Sequence, residues 1–487
     1  MQNKMSVLTI NNVSIKISNR TVLDKVSFTI GPADQYAITG PSGSGKTVLL
    51  QAIAGKRFYT GTIGREDGFK KVALVEQQHR FKNLSNTNTF YYQQRFNSAD
   101  AEDAVTVEED LRRNIPVRDS EGAATEMQAV AEALHLQELL QARLIQLSNG
   151  ENKRLQIAKA LLQHPDILLL DKPFTGLDAT ARKELPVLLQ TIINRGIHII
   201  LVTTQEQIPS FITHVVSLHA DGSFTVQEAP VFKQAAVVAS ANQFVPDERL
   251  MERLLEQQDN TTYDFVVRMK EVHVQYNKRI ILDHINWEVR KGEKWSLSGP
   301  NGAGKSTLLS LINADNPQAY ANEIYLFDRR RGTGETIWQI KKKTGYVSPE
   351  LHLYFDQSVS CFEVVASGLF DTIGLFRSLN KEQEQSVQGW MELLQVAHLR
   401  HMLLSQLPLS RQRLVLLARA LVKNPPLLIL DEPCQGLDED QIQFFRSVID
   451  EICIRTSKTL IYVSHYPHEI PSCVNKFIRL ENGRRVL

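Results

Sequence analysis

GPSGSGKT occupies residues 40–47 of the chain, and GPNGAGKS occupies residues 299–306. Each stretch follows a short apolar segment and precedes a segment of helical periodicity, which is the setting of a phosphate-binding loop. Glycines let the backbone bend until successive N–H groups point at one anion, and the positive end of the following helix adds to that field. The two stretches therefore predict two phosphate-binding loops, each placed between a strand and a helix.

The two loops supply the candidate nucleotide-binding residues. Lys46 and Lys305 are expected to reach the β- and γ-phosphates, while the hydroxyls of Thr47 and Ser306 are expected to bind Mg²⁺. The complete predicted sets are Gly40, Pro41, Ser42, Gly43, Ser44, Gly45, Lys46 and Thr47 in the first loop and Gly299, Pro300, Asn301, Gly302, Ala303, Gly304, Lys305, Ser306 and Thr307 in the second.

The chain is duplicated well beyond these loops. ILLLDKPFTGLD ends at residue 178 and LLILDEPCQGLD ends at residue 438, so the strand aspartates Asp171 and Asp431 lie 260 residues apart. A repeat of this length is a duplicated domain and not a solenoid unit. Aliphatic strands alternate with helices in both copies, which predicts an α/β fold with a parallel sheet covered on both faces. We predict two domains, 1–228 and 263–487, joined by a linker, 229–262, with one short helical piece.

Composition restricts the classes of function. The 487 residues include 55 Lys and Arg against 54 Asp and Glu, a balance that argues against nucleic-acid binding through bulk charge. The four cysteines form no CxxC pair, which makes a reducing cytosol the simplest compartment. The sequence has no run of 18 apolar residues, so we expect any work at a membrane to be done through a partner.

Taken together, these motifs resemble those of the ATP-binding cassette (ABC) ATPases. LSNGE at residues 147–151 and LPLSR at residues 407–411 fall where this family carries a signature of the form LSGGQ. The resemblance implies two tandem P-loop NTPase domains, each with a parallel core, an antiparallel β lobe and a helical lobe. It also implies that the two domains pair head to tail within the chain around ATP, each site joining the phosphate loop of one domain to the signature of the other. Pairing across a homodimer stays open.

The resemblance implies two unequal sites. The hydrolytic glutamate of the family directly follows the strand aspartate, and here it is Glu432 in the second half but Lys172 in the first. A carboxylate can accept a proton from water or orient it, whereas an ammonium cannot. The histidine that follows the last buried strand is His465 in the second half, and Thr204 stands in its place in the first. We expect one hydrolytic site and one degenerate site.

Further contacts follow from the same resemblance. Tyr276 is the expected adenine-stacking aromatic of the second half, and Ser148 and Gly150 of LSNGE are expected to contact the γ-phosphate. Pro408 stands where Ser148 does and has no N–H to donate, while Pro349 replaces the metal-binding glutamine of the first half. The metal ligands implied for the two sites are Thr47, Gln77, Asp171, Ser306 and Asp431.

The second half, above all residues 299–312 and 329–353, is similar to tandem ATP-binding proteins of the ModF type, which are associated by name with molybdate transport. That similarity implies an ATPase that energises small-solute transport through a separate integral-membrane permease. It would be cytoplasmic or peripheral at the inner face of the plasma membrane. Two alternatives stay open: an ATPase acting on ribosomes or nucleic acid, and a nucleotide-dependent regulatory module. The linker is short and only mildly charged. We interpret the basic stretch 329–343 as a solvated surface, so the sequence gives no strong signal for nucleic-acid binding.

Overall fold

The computed structural model describes residues 8–17, 20–41, 43–65, 69–77, 105–115, 120–144, 147, 149–219, 221–235, 247–255, 262–276, 279–349, 351, 355, 358–437 and 439–486. The chain folds into two compact units, Met1–Ser240 and Ala241–Leu487. Within the described residues, no helix combines the length and the apolar character needed to cross a bilayer.

The first unit alternates strands and helices. Its strands are β1 (Leu8–Ile17), β2 (Arg20–Ile30), β3 (Tyr36–Thr39), β4 (Thr60–Arg65), β5 (Val72–Val75), β6 (Ile167–Asp171), β7 (His198–Val202), β8 (His214–Leu218) and β9 (Phe224–Glu228). Its helices are α1 (Lys46–Ile53), α2 (Val107–Arg112), α3 (Ser120–Ala133), α4 (Asn149–Leu161), α5 (Ala179–Asn194) and α6 (Ala229–Ala235).

Two sheets organise this unit. β2, β1 and β4 form an antiparallel sheet, and the larger sheet has the order β5-β6-β7-β3-β8-β9. Its first five strands are parallel, and β9 closes the edge antiparallel to β8. Central strands β3, β6 and β7 are buried along their whole length, as their aliphatic sequences require. The phosphate loop therefore leaves the middle of the sheet at the carboxyl end of β3 and enters α1.

The second unit repeats this plan. Its strands are β10 (Phe265–Tyr276), β11 (Arg279–Arg290), β12 (Lys294–Ser298), β13 (Glu323–Leu326), β14 (Arg329–Arg330), β15 (Thr344–Val347), β16 (Leu427–Asp431), β17 (Thr459–Val463), β18 (Lys476–Glu481) and β19 (Arg484–Arg485). Its helices are α7 (Glu248–Leu255), α8 (Lys305–Ile312), α9 (Ile337–Lys343), α10 (Cys361–Ser367), α11 (Lys381–Leu393), α12 (Leu409–Leu421) and α13 (Glu439–Arg455).

The sheets of the second unit match those of the first. The antiparallel sheet runs β11-β10-β13-β14, and the larger sheet runs β15-β16-β17-β12-β18-β19. Helices α10, α11 and α12 form a separate helical layer whose apolar faces share one buried cluster with the sheet. The predicted fold class is confirmed: each unit has a parallel-sheet core, an antiparallel β lobe and a helical lobe.

The stretch predicted as a linker contains two helices, where the sequence predicted one. Phe232 of α6 is buried in the core of the first unit, and Met251 of α7 is buried in that of the second. Their apolar side chains give each helix a place in a core, which polar composition alone does not indicate. The bounds 1–228 and 263–487 stay a prediction.

Candidate nucleotide-binding sites

Both phosphate loops depend on backbone that only glycine adopts readily. Their six glycines all have positive φ angles, between 80° and 145°. A Cβ atom on Gly40 would lie 2.1 Å from the carbonyl oxygen of Leu218, and one on Gly299 would lie 2.2 Å from that of Leu480. Each loop is therefore held against the neighbouring strand of its own sheet, β8 or β18, with no room for a side chain.

Each loop lysine folds back into its own loop. The Nζ atom of Lys46 donates to the carbonyl oxygens of Gly40 (2.5 Å) and Pro41 (2.7 Å). Lys305 makes the matching bonds, of 2.7 and 2.9 Å, in the second loop. Both lysines are only 8% exposed. An ammonium group thus lies inside each loop, where the sequence predicts the phosphates.

The first half brings together two of the residues predicted to bind metal. The hydroxyl of Thr47 donates to Oδ2 of Asp171 at 2.9 Å. Oδ1 of Asp171 is buried and makes no hydrogen bond within the described residues. Burial raises the pKa of Asp171, and the Thr47 hydroxyl and nearby lysines offset this only in part. A hydroxyl and an unsatisfied carboxylate oxygen are the ligands that Mg²⁺ prefers, so these residues fit that ion.

Other predicted contacts of the first half are less well placed. Gln77 follows β5 and is half-buried, and Gly150 lies in the first turn of α4 with Ala181 close beside it. Ser42 and Ser148 lie outside the described residues. The buried Oγ of Ser44, within the phosphate loop, makes no hydrogen bond in the described part of the chain and fits a donor to a phosphate oxygen.

The second half has an acid-base pair at the carboxyl edge of its sheet. Nε2 of His465 lies 2.9 Å from Oε1 of Glu432, and the side chains are 6% and 15% exposed. The other carboxylate oxygen accepts a bond of 3.1 Å from Nε2 of Gln435.

Cations keep this glutamate ionised. Burial acts to raise the pKa of Glu432, but His465, and then Lys305 and Arg413, outweigh it and the pKa is lowered. Asp431, which ends β16 as Asp171 ends β6, is buried directly before it. A buried carboxylate held as an anion next to an imidazole can orient a water or accept its proton.

The first half carries the same backbone with different side chains. Lys172 has a φ of 45° and Glu432 a φ of 44°, and each N–H donates to the carbonyl of the neighbouring strand at 3.0 Å. Thr204 follows β7 at the place where His465 follows β17. The difference between the two halves is therefore chemical and not conformational.

The two signature segments begin their helices differently. α12 begins at Leu409 after Pro408, which makes no capping hydrogen bond through its side chain and has no N–H to offer a phosphate. In α4, by contrast, Gly150 leaves an open N–H near the start of the helix. The first signature thus keeps a glycine in the first turn of its helix, whereas a proline precedes the helix of the second, and contact of either with a γ-phosphate stays a prediction.

The second half has Tyr276 where an aromatic is expected to stack on adenine and Pro349 where a metal-binding glutamine is expected. Tyr276 ends β10, and its hydroxyl accepts a hydrogen bond of 3.0 Å from Nδ2 of Asn316, which fixes the ring. Ile17 ends β1 at the equivalent place. Pro349 follows Ser348, whose hydroxyl accepts from the N–H of Leu351 at 3.1 Å. The second half therefore has no ligating side chain at 349, and both roles stay predictions.

Sequence reasoning missed a pair of buried cations that occupy the same place on the two signature helices. Nζ of Lys153 in α4 donates to the carbonyl oxygens of Glu76 (3.1 Å) and Gln77 (3.4 Å). Burial lowers its pKa to about 8, although Asp171 opposes the shift. Arg413 occupies the same place in α12, is 3% exposed and lowers the pKa of Glu432. Lys153 and Arg413 lie 260 residues apart, at the same place in the two repeats, and that spacing was the signal.

A family model described as ABC transporter matches residues 23–175 and 282–435. The matched segments contain both phosphate-loop lysines and both aliphatic strands with their terminal aspartates. The chain belongs to the ABC transporter family. This ABC protein is an ATPase, because the domains that define the family bind and hydrolyse ATP.

Two relatives extend over the whole tandem. The ABC protein is 34% identical to the ABC transporter ATP-binding protein ModF of Escherichia coli (strain K12), over 96% of this chain and 96% of that protein. It is 32% identical to an uncharacterized ABC transporter ATP-binding protein of Schizosaccharomyces pombe, over 97% of this chain and 99% of that protein. The resemblance to tandem ATP-binding proteins of the ModF type is thereby confirmed.

Solved structures show the same fold at low identity. An archaeal ribosome recycling factor, solved with a ribosomal stalk protein, gives a TM-score of 0.56 at 16% identity and covers 97% of this chain and 89% of its own. A structure named RNase-L Inhibitor gives a TM-score of 0.55 at 17% identity and covers 98% of this chain and 90% of its own. These likenesses show that the fold is shared.

Proposed function

We propose that this ABC ATPase hydrolyses ATP at the phosphate loop of its second half and holds ATP without turnover at that of its first. The observation that carries the proposal is the contact between Glu432 and His465, 2.9 Å apart and buried. Lys172 and Thr204 take these places in the first half, on the same backbone. An ammonium next to the γ-phosphate would strengthen binding and could not activate water.

We propose that the other half completes the hydrolytic site, as the head-to-tail pairing of the ABC family implies. In a head-to-tail pair the second phosphate loop meets LSNGE, which has Ser148 and Gly150 to contact the γ-phosphate. The first phosphate loop meets LPLSR, where Pro408 has no N–H. In such a pair the intact elements would belong to one composite site and the altered ones to the other. We propose that the two halves of one chain form the pair. If the halves of two different chains paired instead, the protein would be a dimer in solution.

The residues of the second half support an in-line attack of water on the γ-phosphate. Ser306 and Asp431 would hold Mg²⁺, which when bound neutralises charge on the β- and γ-oxygens. Lys305, which lies inside its loop, would contact the same phosphates. Ionised Glu432 orients the water and takes up its proton, and His465 lies where it can contact the γ-phosphate and stabilise the glutamate.

We further propose that hydrolysis energises a separate membrane partner on the cytoplasmic side. The names of both relatives as ABC transporter ATP-binding proteins support this role, and molybdate is the candidate solute from the ModF-type resemblance. The helical lobe of the second unit has a surface suited to a protein partner, since Ile373 is 45% and Phe376 is 78% exposed there. Exposed large apolar side chains are common at surfaces that bind a partner.

A ribosomal role is the second candidate, because the solved relative of similar fold is a ribosome recycling factor. Two cations of the basic stretch, Arg331 and Lys341, weaken this candidate. Arg331 is 4% exposed and pairs with Glu335 at 2.6 Å, and Lys341 pairs with Asp315 at 2.7 Å. Arg331 is therefore not on a solvated surface, which corrects the interpretation from sequence for that residue, and these cations are already neutralised by the protein.

The two roles are separated by sedimentation of the full chain, carrying Glu432→Gln to hold ATP, with membrane vesicles and with ribosomes from the same cells. We expect ATP-dependent association with vesicles, weakened by Phe376→Ser and unchanged by Phe58→Ser, a matched change at a 98% exposed residue of the first unit. ATP-dependent association with ribosomes would favour the second candidate. If the protein associated with neither vesicles nor ribosomes, the result would favour the third alternative, a nucleotide-dependent regulatory module.

A further inference from the structure

Three potential metal ligands meet at a bulge in the β lobe of the second unit. In the pairing of β10 with β11, Val272 faces Ile285 and Val274 faces Leu282, so Asp283 and His284 together face His273. Two residues opposite one is a β-bulge, which redirects side chains locally. His284 has a φ of 53°, a left-handed conformation that helps to turn its side chain toward its neighbour.

The three side chains converge on one carboxylate oxygen. Oδ1 of Asp283 lies 3.4 Å from Nδ1 of His273 and 2.6 Å from Nδ1 of His284. All three atoms lie within 4.8 Å of one another. In a tetrahedral zinc site, metal–ligand bonds of about 2.0–2.2 Å place ligand atoms roughly 3.3–3.6 Å apart. The cluster needs only small side-chain rotations to reach that geometry.

We propose that His273, Asp283 and His284 form a binding site for a divalent transition metal, with zinc as the ion that fits best. Two imidazoles and one carboxylate suit zinc, nickel or copper and do not suit Mg²⁺ or Ca²⁺, which prefer oxygen ligands only. The site lies in the β lobe and is independent of the assignment of hydrolysis to Glu432. Within the described residues, it is the one such cluster.

The surroundings of the cluster match those of a ligand set. Arg484 donates to Oδ2 of Asp283 through Nη2 (2.7 Å) and Nε (2.8 Å), leaving Oδ1 toward the imidazoles. Arg484 and His284 lower the pKa of Asp283, so the carboxylate is ionised. Orientation of a ligating carboxylate by a second group is usual at metal sites. The positive charge of Arg484 would weaken the binding of a metal cation. We therefore expect the site to bind zinc with moderate affinity.

The histidine nearest the protein interior is anchored but unsatisfied. The N–H of His273 donates to Oδ1 of Asn322 at 2.7 Å, and Nδ2 of Asn322 donates back to the His273 carbonyl at 2.9 Å. Nδ1 of His273 is buried and makes no hydrogen bond within the described residues. An open pocket of about 390 Å³ borders the cluster at Asp283, His284 and Arg484. It gives an ion access from solvent and leaves space for a water ligand.

The first unit supplies an internal comparison. Its strands β1 and β2 have the same bulge, in which Asp24 and Lys25 face Ser14, and Lys25 has a φ of 50°. The hydroxyl of Ser14 donates to Asp24 at 3.2 Å, so the carboxylate is kept and neither imidazole is present. The bulge therefore belongs to the scaffold, and the nitrogen ligands are a property of the second unit alone.

The test is calorimetric titration of Zn²⁺ into the full chain, stripped with chelator and free of nucleotide, at pH 7.5. The variant is His273→Ser with His284→Lys, which installs the residues of the first unit on the same backbone. We expect one zinc per wild-type chain and at least about tenfold weaker binding to the variant. His219→Ala, which removes an exposed histidine of the first unit, should bind as the wild type does.

Two results would overturn the site: no zinc bound by the wild type beyond that bound by the variant, or equal loss of binding in His219→Ala. If circular dichroism shows that the double variant does not fold, Asp283→Asn takes its place, because it keeps the size of the side chain and removes only the charge. Co²⁺ provides a second readout, since tetrahedral coordination by imidazole and carboxylate gives visible absorption that should be present in the wild type and absent in the variants.

Discussion

Nε2 of His465 and Oε1 of Glu432 are 2.9 Å apart at the carboxyl edge of the second parallel sheet. Neither residue has a chemical counterpart in the first half, although the backbone there follows the same path. The asymmetry of this ATPase thus resides in a few side chains. That makes it testable by single substitutions with a matched change in the other half.

Glu432→Gln should lower steady-state ATP turnover at least about 100-fold, because the amide cannot take up a proton from water. ATP should still bind, since the change keeps the size of the side chain and removes a buried charge. The control is Lys172→Gln, which should change turnover less than about twofold. Retention of half of the turnover by Glu432→Gln would mean that the first site hydrolyses ATP as well.

Lys172→Glu should not restore turnover when it is added to Glu432→Gln. The new carboxylate would have Thr204 in place of a histidine beside it, and in a head-to-tail pair the facing signature would be LPLSR, which contains Pro408. The phosphate-release rate of the double variant should equal that of Glu432→Gln alone. If the double variant instead recovered about a tenth of the wild-type rate, the missing carboxylate at residue 172 would be the main reason that the first site does not hydrolyse ATP.

Removal of each loop lysine should separate binding from turnover. Lys305→Ala and Lys46→Ala should each lose one of two bound nucleotides per chain, as measured by equilibrium dialysis with a nonhydrolysable ATP analogue, because each ammonium serves one loop. Only Lys305→Ala should abolish turnover, while Lys46→Ala should reduce it less. Equal loss of turnover in both would indicate two obligatory hydrolytic sites.

The buried ammonium of Lys153 predicts a pH effect on stability. Its pKa is about 8 in the folded protein and 10.5 in the unfolded chain, so between these values the unfolded state binds more protons and stability rises with pH. Relative to Lys153→Met, the wild type should gain up to about 2 kcal/mol of unfolding free energy between pH 8 and 9.5. Thermal unfolding of both proteins at the two pH values measures this. A constant difference would place the ammonium in solvent.

Gly299→Ala should destabilise the second unit by at least about 3 kcal/mol, because its Cβ would lie 2.2 Å from the Leu480 carbonyl oxygen. Gly302→Ala is the matched control: it also has a positive φ, but nothing lies within 4 Å of the added atom. We expect it to cost about 1 kcal/mol. Similar melting temperatures for the two variants would contradict the close approach of this loop to β18.

Much of the fold could be predicted because the signals are local. The conformation of a phosphate loop or an aliphatic strand can be recognised from a few consecutive residues. Because the domain is duplicated, each of these patterns occurs twice in the chain. Lys153 and Arg413 could not be placed in this way, since the direction of a side chain on a buried helix depends on packing. The cluster at His273 was also hidden, because it depends on the register of a bulge that joins residues distant in sequence.

The left-handed backbone at Lys172 has a thermodynamic consequence. At Glu432 that conformation aims a carboxylate, whereas at Lys172 the same φ of about 45° has no carboxylate to position. A non-glycine residue in this region costs roughly 1–2 kcal/mol, so the backbone at Lys172 is strained with no carboxylate to position. Lys172→Gly would relieve it, which makes this position a natural starting point for raising the stability of the protein without altering its working site.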